Sequence, residues 1–188
     1  MKTKNAIKLL MILFIGIAFT ACSDDDDATP DPVNEEEVIT TLTLTLVPDG
    51  GGTPVTLVSR DLDGDGPNAP VKTVSGPLTA GTTYSGTVVV LNETETPAEN
   101  VTQEVIAEAE EHQFFYIPGA ALDVTFTYDD TDANGDPLGV LFTVVANSAS
   151  GGNLNVVLRH EPTKPNNGTL AGAGGETDIS VNFDVTVN

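Results

Sequence analysis

Apolar residues recur at every second position in one segment after another of this chain. Leu42, Leu44 and Leu46 alternate with Thr41, Thr43 and Thr45. Tyr84, Val88 and Val90 fall on one parity of residues 82–91, and Leu122, Val124, Phe126 and Tyr128 alternate with polar partners. Val140, Phe142, Val144 and Ala146 repeat the pattern, as do Leu154, Val156 and Leu158. Ile179, Val181, Phe183, Val185 and Val187 carry it to the end of the chain. A period of two places alternate side chains on opposite faces of an extended strand. It suits an antiparallel sheet with one buried and one wet face. Adding 53–59, 71–75 and 113–117 gives about nine short strands separated by turn residues such as Asp49-Gly50-Gly51-Gly52. A parallel fold would need a helix after most strands. The expectation is an all-β antiparallel sandwich of the Ig-like or Greek-key type, with one short crossover helix.

That helix is expected at residues 97–110. Thr96-Pro97-Ala98-Glu99 reads as a capping box, with Thr96 as N-cap and Pro97 in the first helical position. Val101, Val105, Ile106 and Ala109 would then form its apolar face.

The first 21 residues have a different character. Lys2, Lys4 and Lys8 precede an apolar run over residues 9–19, which is short for a bilayer span of ~20 residues. Small residues follow, then Cys22, the only cysteine of the 188 residues. This is the form of an export signal. Phe19-Thr20-Ala21-Cys22 resembles a bacterial lipobox, with Phe19 where Leu is usual. In that class of signal the cysteine sulfur is acylated and becomes the mature N-terminus, and several acyl chains anchor stably where one is marginal. The next residues, Ser23-Asp24-Asp25-Asp26-Asp27, resemble the acidic export signal of Bacteroidota lipoproteins destined for the outer face of the outer membrane. The expected organisation is a lipoprotein signal peptide over 1–21, a lipidated Cys22 with an acidic tether over 22–37, and a sandwich domain over 38–188.

Charge narrows the partners. The chain carries 28 acidic against 7 basic residues, a formal −21. Removal of a signal holding three lysines would leave −24. Phosphate contact needs clustered Lys and Arg, so nucleic acid is excluded as a partner. Residues 23–37 hold eight acids, no base and two prolines, too little apolar surface to order by itself. A single cysteine excludes a disulfide scaffold and a multi-cysteine zinc site.

Three groups of residues could bind a ligand. Asp61, Asp63 and Asp65 lead into Gly66, and Asp130, Asp132, Asn134, Gly135 and Asp136 repeat that spacing. Alternate oxygens around a sharp glycine turn can wrap Ca²⁺. Both loops resemble the first half of an EF-hand loop. Lys72 and Leu141 stand where its bidentate Glu would be, so a further ligand such as Asp129 would have to be borrowed. The same residue types also build tight turns without metal. The third group is the two histidines. His112 follows Glu110-Glu111 at the expected helix end, where the carbonyl dipole favours a cation. His160 shares parity with Leu154, Val156 and Leu158 and would face the core. Together they could hold haem or a transition metal.

Catalysis has less behind it. No Ser lies in a nucleophile elbow, and the one thiol is assigned to lipidation. Carboxylates for glycoside hydrolysis are abundant, but Trp, a common sugar platform, is absent. The sequence therefore reads as a non-enzymatic binding or scaffolding module at the cell envelope, with a protein or glycan partner. Haem or metal capture is the alternative, and a carbohydrate-active enzyme comes third.

The lipobox, the Ser-Asp₄ run and the all-β body together resemble small lipoproteins of Bacteroidota, especially flavobacteria. Residues 61–70, 91–104 and 111–116 carry the likeness within the domain. The resemblance implies surface display and no particular activity. Some members carry a "type 1 periplasmic binding fold" label. A chain this short, with one expected helix, cannot form two α/β lobes.

Overall fold

The computed structural model describes residues 37–64 and 66–188. The segments expected to be signal peptide and tether, with Cys22, lie outside the described residues up to Glu36, as does Asp65. Among the described residues nine strands form two antiparallel sheets. They are β1 (Thr41–Pro48), β2 (Val55–Arg60), β3 (Val71–Val74), β4 (Thr82–Leu91), β5 (His112–Pro118), β6 (Val124–Tyr128), β7 (Leu141–Ala146), β8 (Ser150–His160) and β9 (Glu176–Val187). Two short helices, α1 (Thr102–Ala107) and α2 (Leu170–Ala173), complete the domain. No helix among the described residues is long and apolar enough to cross a membrane.

The larger sheet has the order β3-β2-β1-β4-β7-β6, and the smaller has β5-β8-β9. In the larger sheet β1, β2 and β3 are joined as hairpins, and β4 returns to lie beside β1, which is a Greek key. The apolar parity of the sequence is the buried parity. Leu42, Leu44, Leu46, Val88, Val90, Phe142 and Val144 pack from one sheet against Phe114, Leu154, Val156, Leu158, Val181 and Phe183 from the other. Apart from buried Thr41, the opposite parity of the large sheet, rich in Thr and Val, is half-buried or exposed, which suits the β-branched preference of a wet sheet face. Gly86 interrupts the buried parity of β4 for a steric reason. A Cβ there would lie 2.2 Å from the Phe142 ring, which occupies the space.

Three expectations need correction. The capping box does not operate: Glu99 pairs its N–H and carbonyl with Asn92 in a turn. The helix starts instead after Val101, without a side-chain cap, and spans only six residues. Ile106 is exposed, whereas Val101 and Val105 are buried. The helix is also accompanied by a second one. Residues 161–175, with α2, fold back over the outer face of the small sheet. There Phe115, Val157 and Ala173 form a satellite core. Both faces of β5 and β8 are thus covered, so their sequence is apolar on both parities.

Candidate functional site

The register of β5 and β8 sets His112 directly opposite His160. Their rings stack, with centroids 4.6 Å apart and planes 16° from parallel. Both are buried, His112 completely.

A third residue joins them through an irregularity in β9. Leu158 pairs with Ile179 and Arg159 with Thr177, so Asp178 is the extra residue of a β-bulge. On the regular alternation of β9 Asp178 would share the outward parity of Ser180, Asn182 and Asp184. A bulge adds a residue to one strand and re-aims a side chain, and here the Asp178 carboxylate turns toward the histidines. Its Oδ1 lies 3.6 Å from His160 Nδ1 and its Oδ2 lies 3.9 Å from His112 Nε2. The Asp178 side chain is fully buried.

Helix α1 fixes the ring of His112. Its Nδ1 lies 3.2 Å from the Glu108 carbonyl, at the helix C-cap. A carbonyl can only accept, so Nδ1 is the protonated nitrogen and the neutral ring carries its lone pair on Nε2. That Nε2 is buried and makes no hydrogen bond. Burial lowers the pKa of His112, and the neighbouring His160 adds to the effect, against the opposing pull of the Glu108 carbonyl and the Glu108 and Glu111 carboxylates. The expected placement of His112 at a helix end is realised, but as a neutral donor to the last carbonyls.

Two more carboxylates stand near His112. Ligand atoms of Glu37, Glu108 and His112 lie within 4.8 Å of one another, as do those of His112, His160 and Asp178. His112 is common to both groups. Burial, the adjacent Glu104 carboxylate, then Asp178 and Glu108 push the Glu37 carboxyl up to about 7. Ligands at ~2.1 Å from one ion stand between about 3 and 4.2 Å apart. The 3.6 and 3.9 Å separations around Asp178 fall inside that range.

Gly175 lets the chain pass the site. Its φ is +69°, and a Cβ there would lie 2.2 Å from the His160 carbonyl oxygen. This glycine turns residues 161–175 into β9 directly against the end of β8.

The acidic loops are built differently. Asp130 accepts from the backbone N–H groups of Gly139 (2.7 Å) and Leu141 (2.9 Å). Asp132 Oδ1 accepts from the N–H groups of Asn134 and Asp136, and its Oδ2 lies 3.2 Å from the Lys164 ammonium. Burial pushes Asp132 up, but these donors outweigh it and hold the carboxyl below its usual range. Asp136 meets Asp132 through backbone atoms, and Asp129 accepts from the Thr143 hydroxyl. In the first loop Asp63 accepts from Asn68, which does most to hold its carboxyl below the usual range, with Asp61 beside it.

The tyrosines serve the core. Tyr84 and Tyr116 are buried, and the Tyr116 and Tyr128 hydroxyls donate to the carbonyls of Gly139 and Phe114. None of the three forms an exposed aromatic platform.

Sequence reasoning identified both histidines but missed Asp178, Glu37 and Glu108. Asp178 had the wrong parity for the core, and no local pattern announces a bulge. No protein-family model, curated protein or solved structure matches the chain.

Proposed function

We propose that this is a lipid-anchored envelope protein whose sandwich domain binds a divalent transition-metal ion through His112, His160 and Asp178. The anchor rests on the Cys22 lipobox, and the ion on the buried site. One observation supports the ion above all. The unprotonated Nε2 of a buried histidine is aimed at a buried carboxylate 3.9 Å away, with no hydrogen bond to it. A fully buried imidazole nitrogen without a donor, with a second imidazole and a carboxylate in reach, is the donor set of a transition-metal site. Two imidazoles and a carboxylate suit Zn²⁺, Fe²⁺, Ni²⁺ or Cu²⁺ rather than Ca²⁺, which prefers six to eight oxygens. The Glu108 carbonyl behind His112 supplies the outer hydrogen bond that orients a ligating imidazole.

The haem alternative has less support. A porphyrin between two histidines needs their nitrogens on opposite sides of its plane. Rings stacked 4.6 Å apart inside the sandwich leave no such slot.

Equilibrium dialysis of the purified chain against Zn²⁺ tests the reading. One equivalent should be retained, and H112A and H160A should each lose it. Retention by both variants, or none by the native chain, would overturn the assignment.

A further inference from the structure

The outer face of the six-stranded sheet differs in charge from the rest of the molecule. The chain carries 28 acidic and 7 basic residues. Residues paired directly across strands share a face, so the register shows which side chains point outward. Among the described residues, Arg60 is the only charged one on the outward parity of β1, β2, β3, β4, β6 and β7, and Glu93 holds it in an ion pair. The other outward positions are Thr, Ser, Val and Leu. Of the seven large apolar side chains exposed among the described residues, Val47, Val71, Val89 and Leu141 lie on this one face. A fifth, Leu62, lines an open hollow with Val58 and Val71 beside the β2–β3 edge. Acids stand at the border instead: Asp49 accepts from the Ser85 hydroxyl and Asp129 from that of Thr143.

We propose that this face is where two copies of the chain meet, sheet against sheet. Two bodies of formal charge −21 can approach closely only where neither presents its acids. A two-fold dimer sets the same patch of both copies together. An uncharged patch of hydroxyl and methyl groups is complementary to itself, whereas a patch of carboxylates is not. The size is sufficient. Strands ~4.8 Å apart and ~20 Å long give a six-stranded face of roughly 600 Å². Two facing copies then cover about 1,200 Å², the lower end of a standard interface. Val89 on the inner strand β4 and Leu141 on β7 put apolar groups toward the middle, with acids left at the rim, which is the usual layout of an interface. Those rim acids repel across the dimer, so screening by salt strengthens the association. A contact made by opposite charges would weaken instead. The proposal does not depend on the ion site.

Sedimentation equilibrium of the full mature chain tests this, with C22S as the parent so that acyl chains cannot drive association. V89D and L141D each place a charge on the face at an already exposed position. I106D does the same to an exposed apolar residue on α1, away from the face. Far-ultraviolet circular dichroism confirms that each variant is folded. The parent should dimerise, and more tightly as salt is raised from low to physiological levels. V89D and L141D should each weaken the dimer at least about 10-fold, and I106D should match the parent. A parent that stays monomeric at every salt concentration would overturn the proposal. So would a dimer that neither V89D nor L141D weakens, since another surface would then carry it. Association that weakens with salt would mark a contact between opposite charges and overturn it too. A monomeric parent that sediments with phosphatidylethanolamine vesicles, and loses them in V89D, would assign the face to lipid rather than to a second copy.

Discussion

The histidine site and the loop around Asp132 are both buried polar clusters, and they resolve their charge in opposite ways. At Asp132 the protein supplies its own cation and its own donors. Lys164 lies 3.2 Å from one oxygen, and two backbone N–H groups satisfy the other. At His112 the nitrogen lone pair faces a carboxylate across 3.9 Å, and further carboxylates stand near it. The first arrangement is complete as a turn. The second gathers the nitrogen and oxygen atoms of the proposed ion site. What separates the two clusters is that a lysine stands at the first, while the second sets two imidazoles beside its carboxylate.

The largest expected effect tests that contrast directly. H160A should weaken Zn²⁺ binding by more than about 100-fold, whereas D132N should leave it unchanged, as read by calorimetric titration. A loss in both variants would mean that the two clusters are one functional unit.

Stability should show the converse. D132A removes the caps of Asn134 and Asp136 and leaves the buried Lys164 ammonium unpaired. It should cost about 3–5 kcal/mol in chemical unfolding. If millimolar Ca²⁺ raised the melting temperature of the native chain but not of D130N, this loop would be a cation site and the contrast would fail.

A smaller effect is expected at Gly175. G175A forces a Cβ against the His160 carbonyl at a positive φ, at a cost of about 1–3 kcal/mol. Because His160 must move, metal affinity should fall with stability. An equally destabilising change far from the site, such as G86A against Phe142, should leave affinity intact. Equal losses of affinity in the two variants would show that the site only follows global stability.

The smallest effect concerns an exposed pair that calibrates the buried ones. Arg60 grips both oxygens of Glu93, and Thr41 donates to one of them. The Arg60 fork, then Thr41, holds the Glu93 carboxyl at about 2. A lowered carboxyl stabilises the fold above its unfolded value near 4.5, and that contribution fades as the pH falls toward 2. Melting curves of native chain and E93Q should differ slightly at pH 6 and converge by pH 2. A constant gap would show that the pair contributes through packing rather than charge.

The alternation of Leu42 to Leu46, Leu154 to Leu158 and Val181 to Val187 was enough to give strands, their buried faces and an antiparallel sandwich. A period of two has one physical solution when one face must leave water. It also put His160 on the inner face. The turn reading of Asp130 to Asp136 was legible for the same local reason, since Asp side chains bond backbone N–H groups a few residues away. The capping box failed because Asn92 and Glu99 bridge across a turn, a pairing that competes for the backbone of the expected helix start. The satellite core was hidden because its partners, Val157 and Ala173, lie sixteen positions apart on a connection without periodicity.

The site itself is where local pattern stops. Sequence alone determined the pleated body and the inward parity of one histidine, because those follow from side-chain hydrophobicity repeated along a strand. Tertiary structure decided that His112 meets His160, that Asp178 leaves its expected face, and that Glu37 and Glu108 approach. Cross-strand register and a bulge are set by how two sheets close over a shared core, and neither is written in the spacing of any one segment.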